Sequence, residues 1–244
     1  MREGCDLRVN IICDFDGTIA LEDVTDSLLE RFADESWKYV EAQWLAGKIG
    51  SRDCMARQVS LIKADYERLN RYLDTVEIDS SFLSFVDKCK RLEAINLHVV
   101  SDGIDYVIKR ILRNNKLTDL RVTANALVAL PGDRYHLTFP HSKPDCDVQA
   151  GTCKCAVAQA RGEKARRTSA TLLIADGLSD VCLASRADFV FAKGRLLEHC
   201  RAKAIPNLPF ATFADVERQL APVLAALNVA QASQNDFMEN PHDA

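Results

Sequence analysis

The sequence lacks both a long apolar run and an excess of charge of either sign. Its 244 residues hold 31 Lys and Arg against 35 Asp and Glu, which gives a net charge of −4. No segment approaches the roughly 20 apolar residues of a membrane span, and no basic patch marks a surface for nucleic acid or anionic lipid. We therefore expect no transmembrane segment, and neither nucleic acid nor membrane as a partner.

Targeting and disulfide signals are also missing. The N-terminal stretch Met1 to Arg8 is short and polar, so the sequence predicts no signal peptide and a cytoplasmic location. The nine cysteines are odd in number and scattered apart from Cys146, Cys153 and Cys155, which argues against a disulfide framework. With 48% hydrophobic residues, the chain is predicted to be globular, as one large domain or one domain with an insert.

Apolar patterning changes twice along the chain. Val9 to Cys13 is a short β-branched run that leads into Asp-Phe-Asp-Gly, which is typical of a buried strand and a turn. From Asp23 to about Glu93, apolar residues recur at helical spacing without strand signals, which indicates a helical insert. Strands and helices alternate after Asn96, and this order predicts a parallel sheet covered by helices on both faces.

The same pattern predicts the later elements and the domain boundaries. Strands are expected at 96–100, at 121–130 with a hairpin partner at 135–139, at 171–175 and at 189–192. Helices are expected at 104–112 and from about 153. The catalytic core is then 1–20 and 91–228, a helical cap is 21–90, and 229–244 is a disordered polar tail.

Three of the predicted strands end in turns of acid and glycine: Asp14-Phe15-Asp16-Gly17, Ser101-Asp102-Gly103 and Asp176-Gly177-Leu178-Ser179-Asp180. Ligands of an open parallel sheet sit outside the carboxyl ends of its strands, so these turns should meet. Asp14, Asp16 and Asp176 would then form a carboxylate cluster too repulsive to stay fully ionised without a cation. Mg²⁺ prefers oxygen ligands, with one or two carboxylates plus substrate phosphate. The sequence therefore predicts a Mg²⁺ site.

The order Asp-x-Asp-Gly-Thr, Ser101, Lys154 and Asp-Gly-x-Ser-Asp resembles the haloacid dehalogenase (HAD) superfamily. Within it, the chain is similar to the phosphoserine phosphatase-like phosphatases of subfamily IB, which carry a helical cap between the first and second motifs. The resemblance covers the chain to about residue 220. It implies a Rossmann-like three-layer α/β core with a parallel sheet. It also implies Mg²⁺-dependent hydrolysis of a small phosphomonoester through an aspartyl phosphate.

The resemblance gives the first motif its catalytic roles. Asp14 would be a metal ligand and the nucleophile that becomes the aspartyl phosphate. Asp16 would act as general acid and then general base, while its backbone carbonyl joins the metal. Thr18 would brace the loop and contribute to the substrate site. Dehalogenases of the superfamily lack the second aspartate, so Asp16 favours phosphoryl transfer.

The other motifs would bind phosphate and metal. By resemblance, Ser101 and the amide of Asp102 would hold phosphoryl oxygens, and Lys154 would offset charge on the phosphoryl group and on the nucleophile. Asp176 would ligate Mg²⁺ directly. Asp180 would ligate through water or support the ligands from behind.

Two segments in the cap resemble one group of phosphatases within this superfamily. Ala46-Gly47-Lys48-Ile49 and Val59-Ser60-Leu61-Ile62-Lys63 are similar to phosphoserine phosphatases, and Asp23 falls where those enzymes carry a substrate-binding acid. Those enzymes have an arginine immediately before Val-Ser-Leu, whereas this chain has Gln58. An amide cannot replace a bidentate guanidinium, which disfavours a charged amino-acid substrate unless Arg57 takes that place.

A third segment points to another branch. Phe139-Pro140-His141-Ser142, followed by Gly151-Thr152-Cys153-Lys154-Cys155, is similar to the methionine-salvage phosphatases. This likeness implies 2-hydroxy-3-keto-5-methylthiopentenyl-1-phosphate as one candidate substrate. The alternatives are a phosphoserine phosphatase-like or other small-metabolite phosphatase, a phosphotransferase, and a non-catalytic phospholigand-binding module. A homodimer is left open as the assembly.

The cysteine-rich run admits two interpretations. Four zinc ligands could come from His141, Asp145, Cys146, Cys153 and Cys155. However, C-x6-C-x-C is not a standard ligand spacing, and Lys154 must point into the active site, which turns its neighbours elsewhere. Buried or loop thiols are the favoured interpretation.

Overall fold

The computed structural model describes the backbone of residues 8–162 and 169–239 and the side chains of residues 8–160 and 169–228. Residues 1–7 of the predicted core and 240–244 of the predicted tail lie outside the described residues. In the described part of the chain, seven strands form one sheet and ten α-helices accompany it. The fold is therefore α/β, as the sequence predicts.

The sheet has the strand order β4-β3-β2-β1-β5-β6-β7. Its strands are β1 (Arg8–Cys13), β2 (Ile95–Ile104), β3 (Arg121–Leu130), β4 (Arg134–Thr138), β5 (Ser169–Ala175), β6 (Phe189–Ala192) and β7 (Asn207–Pro209). The central strand β1 pairs in parallel with β2 and β5, so that Val9 lies opposite both Ile95 and Ala170. β4 pairs antiparallel with β3, which confirms the predicted hairpin.

Burial on both faces explains the central place of β1. Ile11 and Ile12 are both fully buried, although side chains of neighbouring strand residues point to opposite faces. Ile11 packs in the larger core together with Phe15, and Ile12 packs in a second core together with Leu173. A strand without a solvent-facing side is stable only inside a sheet that helices cover on both faces.

Five helices connect β1 to β2: α1 (Val24–Phe32), α2 (Trp37–Leu45), α3 (Ser51–Val59), α4 (Tyr66–Leu73) and α5 (Phe82–Arg91). The other helices follow the later strands: α6 (Asp105–Asn114), α7 (Lys154–Gly162), α8 (Val181–Ala184), α9 (Gly194–Ala202) and α10 (Phe213–Glu239). The helical spacing of the insert and the start of α7 agree with the sequence-based expectation.

The fifth helix of the insert packs against the core. The rings of Phe82 on α5 and Phe213 on α10 lie 4.6 Å apart, and Lys88 Nζ donates to the carbonyl of Glu217 at 2.9 Å. The sequence-based boundary places this helix in the cap, because helical periodicity does not show which surface a helix covers. A bridge between Ala20 and Ile78 joins the two ends of the remaining insert. "Cap" below means residues 21–77.

The last helix is longer than expected. α10 runs through Glu239, whereas the sequence-based expectation is disorder from residue 229. Alanine and glutamine recur between residues 225 and 234, and both are good helix formers. Among the described residues, no helix is both long enough and apolar enough to cross a membrane.

Candidate active site

The three acid-and-glycine turns meet at one end of the sheet, where a cavity of about 480 Å³ lies between the sheet and the cap. The side of the cavity nearest the strands, the "sheet wall", is formed by Asp14, Asp16, Ser101, Asp102 and Asp176. Each strand end delivers its turn because neighbouring parallel strands finish at the same edge. The structure thus brings together side chains that are distant in sequence.

Asp14 is held by a buried lysine. Lys154, at the start of α7, places Nζ 2.7 Å from Asp14 Oδ2 and 2.5 Å from Asp180 Oδ1. Burial alone would lower the pKa of Lys154, but the charges of Asp14 and Asp180 outweigh it and raise that pKa. The lysine is therefore charged and bridges both acids. Asp180 is fully buried behind Lys154 and does not line the cavity, so its contact is with the lysine.

Asp16 is the carboxyl group best placed to carry a proton. Its Oδ1 accepts a hydrogen bond from the backbone N–H of Val24 at 3.0 Å. Burial, with the charges of Asp23 and Asp14, raises the pKa of Asp16 well above its usual range. Gly103 is required beside it, because a Cβ there would lie 2.5 Å from Asp16 Oδ2.

Thr18 braces the acid that follows β5. Its Oγ1 donates to Asp176 Oδ1 at 2.7 Å, and burial together with the charge of Asp14 raises the pKa of Asp176. Gly17 adopts a φ of +63°, and a Cβ at this position would lie 2.5 Å from Asp176 Oδ2. Lys193, which the sequence analysis did not single out, donates to the Thr18 carbonyl at 3.4 Å.

The second motif lies in the last part of β2, not in a turn after the strand as the sequence predicts, at a point where the pairing of β2 with β3 shifts register between Val100 and Ile104. It is tied to three other segments. Ser101 is buried, and its Oγ accepts from the N–H of Gly103 at 2.9 Å. The Asp102 carboxylate accepts from Ser51 Oγ at 2.7 Å, Thr152 N at 2.9 Å and Asn125 Nδ2 at 3.1 Å. Sequence reasoning missed these three donors, since no local pattern links them to the motif.

The sheet wall fits a magnesium ion. Asp14 and Asp176 present carboxylates to the same cavity, and the ion pairs of the buried Lys154 are with Asp14 and Asp180. Among the described residues, no three His, Cys, Asp or Glu side chains form a group that could hold a metal ion. Mg²⁺ does not require such a group, because it keeps several waters and takes one or two carboxylates plus substrate phosphate. The donor chemistry is therefore suitable.

The opposite side of the cavity, the "cap wall", is formed by Asp23, Asp26, Glu41, Trp44 and Met55. Asp23 caps α1 by accepting from the N–H of Asp26 at 3.0 Å. Burial, followed by the charges of Asp23 and Glu41, raises the pKa of Asp26 to about 7. No lysine or arginine of the described chain forms a salt bridge with these three acids. The cap wall thus combines unpaired acids with an apolar patch.

Arg57 does not reach the cavity. Its guanidinium pairs with Asp53 at 2.7 Å on the exposed side of α3, and Arg57 is not among the lining residues. The neighbouring Gln58 is buried instead and donates to Glu41 Oε2 at 2.8 Å. Arg57 lies on the outer side of α3 because the helix turns adjacent residues about 100° apart and places an acid one turn away from Arg57. Its role in substrate binding stays a prediction.

The cysteine-rich run lines a separate cavity of about 150 Å³, which Cys146, Cys153 and Cys155 share with Cys182. All four are free thiols, and burial raises the pKa of Cys155 to about 12. His141 is not among the residues that line this cavity. The interpretation as buried or loop thiols stays a prediction.

Comparisons with known proteins agree with this geometry. The profile of the haloacid dehalogenase-like hydrolase family matches residues 11–185. A curated 2-hydroxy-3-keto-5-methylthiopentenyl-1-phosphate phosphatase from an Exiguobacterium strain is 30% identical over 223 residues, covering 89% of this chain and 99% of the relative. The protein of the same name from Geobacillus kaustophilus is 29% identical, with 84% of this chain and 92% of the relative covered.

Solved structures show the same architecture. A phosphoserine phosphatase with a phospho-aspartyl intermediate analogue has a TM-score of 0.64 at 17% identity, over 87% of this chain and 98% of that chain. A probable phosphoserine phosphatase from Vibrio cholerae, in unliganded form, has a TM-score of 0.67 at 17% identity, over 94% of this chain and 68% of that chain. At this identity the likeness shows the fold.

Proposed function

The chain belongs to the haloacid dehalogenase-like hydrolases, and we propose that it is a Mg²⁺-dependent phosphomonoesterase that works through an aspartyl phosphate on Asp14. One observation carries the proposal. Asp14 lines the cavity with one carboxylate oxygen 2.7 Å from Lys154 Nζ, beside Asp16, whose raised pKa suits a proton donor.

In the first step, a carboxylate oxygen of Asp14 attacks phosphorus and the bond from phosphorus to the leaving oxygen breaks. Two contacts fix the orientation of the Asp14 carboxylate. Lys154 binds Oδ2, and the N–H of Phe15 donates to Oδ1 at 2.7 Å. Asp16 gives its proton to the leaving oxygen, which departs as an alcohol.

In the second step, Asp16 has become a carboxylate and takes a proton from water. The water oxygen attacks phosphorus, the bond from phosphorus to Asp14 breaks, and inorganic phosphate leaves. Ser101 and the N–H of Asp102 would hold phosphoryl oxygens through both steps. Asp14, Asp176 and the carbonyl of Asp16 would hold Mg²⁺, which when bound offsets the charge of the phosphoryl group.

For the substrate, we propose first the intermediate named in the curated relatives, 2-hydroxy-3-keto-5-methylthiopentenyl-1-phosphate. Trp44, Leu45 and Met55 give the cavity an apolar patch that suits a methylthio group. A phosphoserine-like substrate is the second candidate. It is favoured by the unpaired acids of the cap wall, which suit an ammonium group, and by Arg195 at the cavity, which suits a carboxylate.

The test is phosphate release by the purified protein from a panel that includes both candidates and p-nitrophenyl phosphate, ranked by kcat/KM. We expect turnover with Mg²⁺ and none after chelation. A protein that binds these phosphates without releasing phosphate would be a binding module, and transfer of the phosphoryl group to an added alcohol in preference to water would make it a phosphotransferase.

We further propose a cytoplasmic location and neither nucleic acid nor membrane as a partner. Support for the location comes from the eight cysteines that the structure describes, all of which are free. Free thiols persist in reducing compartments. A homodimer is the assembly to test, by light scattering during size-exclusion chromatography.

A further inference from the structure

The Asp102 carboxylate takes part in no step of the proposed reaction, yet it is the most connected acid on the sheet wall. Its donors come from three separate segments: Ser51 at the start of α3 in the cap, Asn125 on β3, and Thr152, two residues before Lys154. The donor distances are 2.7 Å, 3.1 Å and 2.9 Å, respectively. Such convergence on one side chain fixes the position of the segment that carries it.

We propose that Asp102 is a positioning residue that couples closure of the cap to the geometry of the phosphate-binding segment, with Ser51 as the cap's contact. The inference rests on the proposed function, because it assigns the segment Ser101-Asp102-Gly103 to the phosphoryl group. It concerns the side chain of Asp102, whereas the reaction uses its backbone N–H.

Electrostatics explain why the donors matter. A buried carboxylate needs hydrogen-bond donors to stabilise its charge, and here the same donors hold the segment beside the phosphoryl site in place. Burial raises the pKa of Asp102, whereas the bonds from Ser51, Thr152 and Asn125 act in the opposite direction. One of the three donors lies on the cap, so opening of the cap would remove it and leave the charge less well solvated.

The network also reaches backbone atoms. The Asn125 amide donates to the carbonyl of Asp102, and the Asn125 side-chain oxygen accepts from Thr152 Oγ1 at 3.0 Å. Gly151 packs so closely that a Cβ there would lie 2.5 Å from Asn125 Oδ1. Asp102, Asn125 and Thr152 therefore form a fixed unit of the core, and Ser51 is the donor that arrives from the cap.

Nearby contacts between cap and core lie outside the motif. The N–H of Arg52 donates to the Gln149 carbonyl at 3.0 Å, and Tyr135 Oη donates to the Ala64 carbonyl at 2.6 Å. These contacts hold the cap against the core without touching a residue of the phosphate site. The Ser51 contact is different because it ends on the phosphate-binding segment.

The experiment compares Ser51→Ala, Ser51→Thr and the matched control Ser60→Ala, using p-nitrophenyl phosphate. Ser60 lies next to the other end of α3, where its Oγ bonds the carbonyl of Arg57 within the same turn. Loss of one hydrogen bond to a charged group should reduce kcat/KM about tenfold in Ser51→Ala, mainly through KM. Ser51→Thr keeps the hydroxyl and should therefore have a kcat/KM close to that of the wild type. Ser60→Ala should match the wild type.

A double-mutant cycle tests whether Ser51 acts through Asp102. In an Asp102→Ala background, Ser51→Ala should cause no further loss, because the acceptor is already gone. An equal tenfold loss in both backgrounds would overturn the coupling. Wild-type kinetics in Ser51→Ala, or no rescue by Ser51→Thr, would also overturn it. If Asp102→Ala does not fold, Asp102→Leu takes its place, because leucine is similar in size and also lacks an acceptor for Ser51.

Hydrogen exchange separates this inference from the proposed function, because it needs no turnover. Without ligand, Ser51→Ala and Asp102→Ala should both speed amide exchange in the first turn of α3, whereas Ser60→Ala should not. If the variants show this pattern of exchange but the wild-type protein releases no phosphate, the proposed function fails and the coupling stands. If phosphate is released but exchange in α3 is unchanged in both variants, the coupling fails.

Discussion

Both walls of the cavity carry several carboxylates, but the surroundings that stabilise the negative charges differ between the two walls. On the sheet wall, Asp14 is buried and bound to Lys154, and Asp176 is braced by Thr18. On the cap wall, Asp23 and Asp26 are exposed, and they form no salt bridge with a lysine or arginine of the described chain. The acids of the sheet wall are thus held by partners in the core, whereas Asp23 and Asp26 on the cap wall are exposed to solvent.

This difference predicts where substitutions should change turnover most. Groups that touch the reacting atoms on a rigid, buried wall cannot be replaced by water, so their loss is costly. Groups on a solvated wall can exchange one partner for water at little cost. Substitutions on the sheet wall should therefore change turnover by orders of magnitude, whereas those on the cap should change specificity or stability modestly.

The largest effect is expected for Asp14→Asn. An amide is not a nucleophile toward phosphorus, so phosphate release should fall at least about a thousandfold. The fold should persist, because the amide still offers an oxygen to Lys154. Stopped assays of phosphate release measure the loss, with Asp119→Asn as a control for the same chemical change at an exposed site. Retained hydrolysis of p-nitrophenyl phosphate would exclude the aspartyl-phosphate mechanism.

Asp16→Asn should come next, with a loss of about 10²–10⁴-fold for alkyl phosphates. An amide cannot protonate the leaving oxygen. The loss should be smaller for p-nitrophenyl phosphate, because p-nitrophenolate leaves without a proton. The measurement is kcat for both substrates in both proteins. Equal losses for the two substrates would contradict the role of Asp16 as general acid.

On the cap, Arg57→Ala should change kcat/KM less than about twofold, since its exposed guanidinium pairs with Asp53 and does not line the cavity. Gln58→Ala is the matched comparison on the same helix. It should have the larger effect, because Gln58 is buried and donates to Glu41 on the cap wall. Steady-state kinetics with both candidate substrates show which of the two substitutions lowers kcat/KM more. A larger effect of Arg57→Ala would place the guanidinium in the substrate site.

The smallest effect concerns Asp26 and pH. Its pKa is raised to about 7, so between pH 4 and 7 the folded protein holds a proton that the unfolded chain releases. The free energy of unfolding therefore falls as pH rises through this window. Asp26→Asn should raise Tm relative to wild type at pH 8 but not near pH 4, by at most about 2–4 °C because solvent screens the site.

Asp34→Asn is the control for that measurement. Hydrogen bonds from Ser36 lower the pKa of Asp34, so this group does not titrate between pH 5 and 8. Its substitution should shift Tm equally at pH 5 and at pH 8, and the Asp26 effect is compared over the same two values. A difference in Tm between Asp26→Asn and wild type that does not depend on pH would show that Asp26 does not titrate near neutral pH.

Much of the core could be predicted from the sequence. The strands expected at 121–130 and 189–192 are β3 and β6, and the acid-and-glycine segments after β1, after β5 and within β2 meet as expected. These features depend on local signals, namely β-branched runs and acid-glycine turns at their ends. The alternation of strands and helices then limits the topology to a parallel sheet.

What could not be predicted depends on contacts between distant segments. Ser51, Asn125 and Thr152 carry no motif, and they gain their role only when three segments meet at Asp102. The same holds for α5, because its pattern shows an apolar face but not that Phe213 covers it. Arg57 and Gln58 differ by one position, and only the rotation of α3 decides which of them turns inward.

The central place of β1 has a consequence for how the chain folds. This strand is made first, but its neighbour β2 begins at Ile95 and its other neighbour β5 pairs about 160 residues later in the chain. At about 5–20 residues per second of synthesis, β1 waits roughly ten seconds or more for its second partner. Non-local pairing of this kind also slows folding of the complete chain. Asp14, the proposed nucleophile, is thus synthesised early, and its site is complete only when nearly the whole domain has assembled.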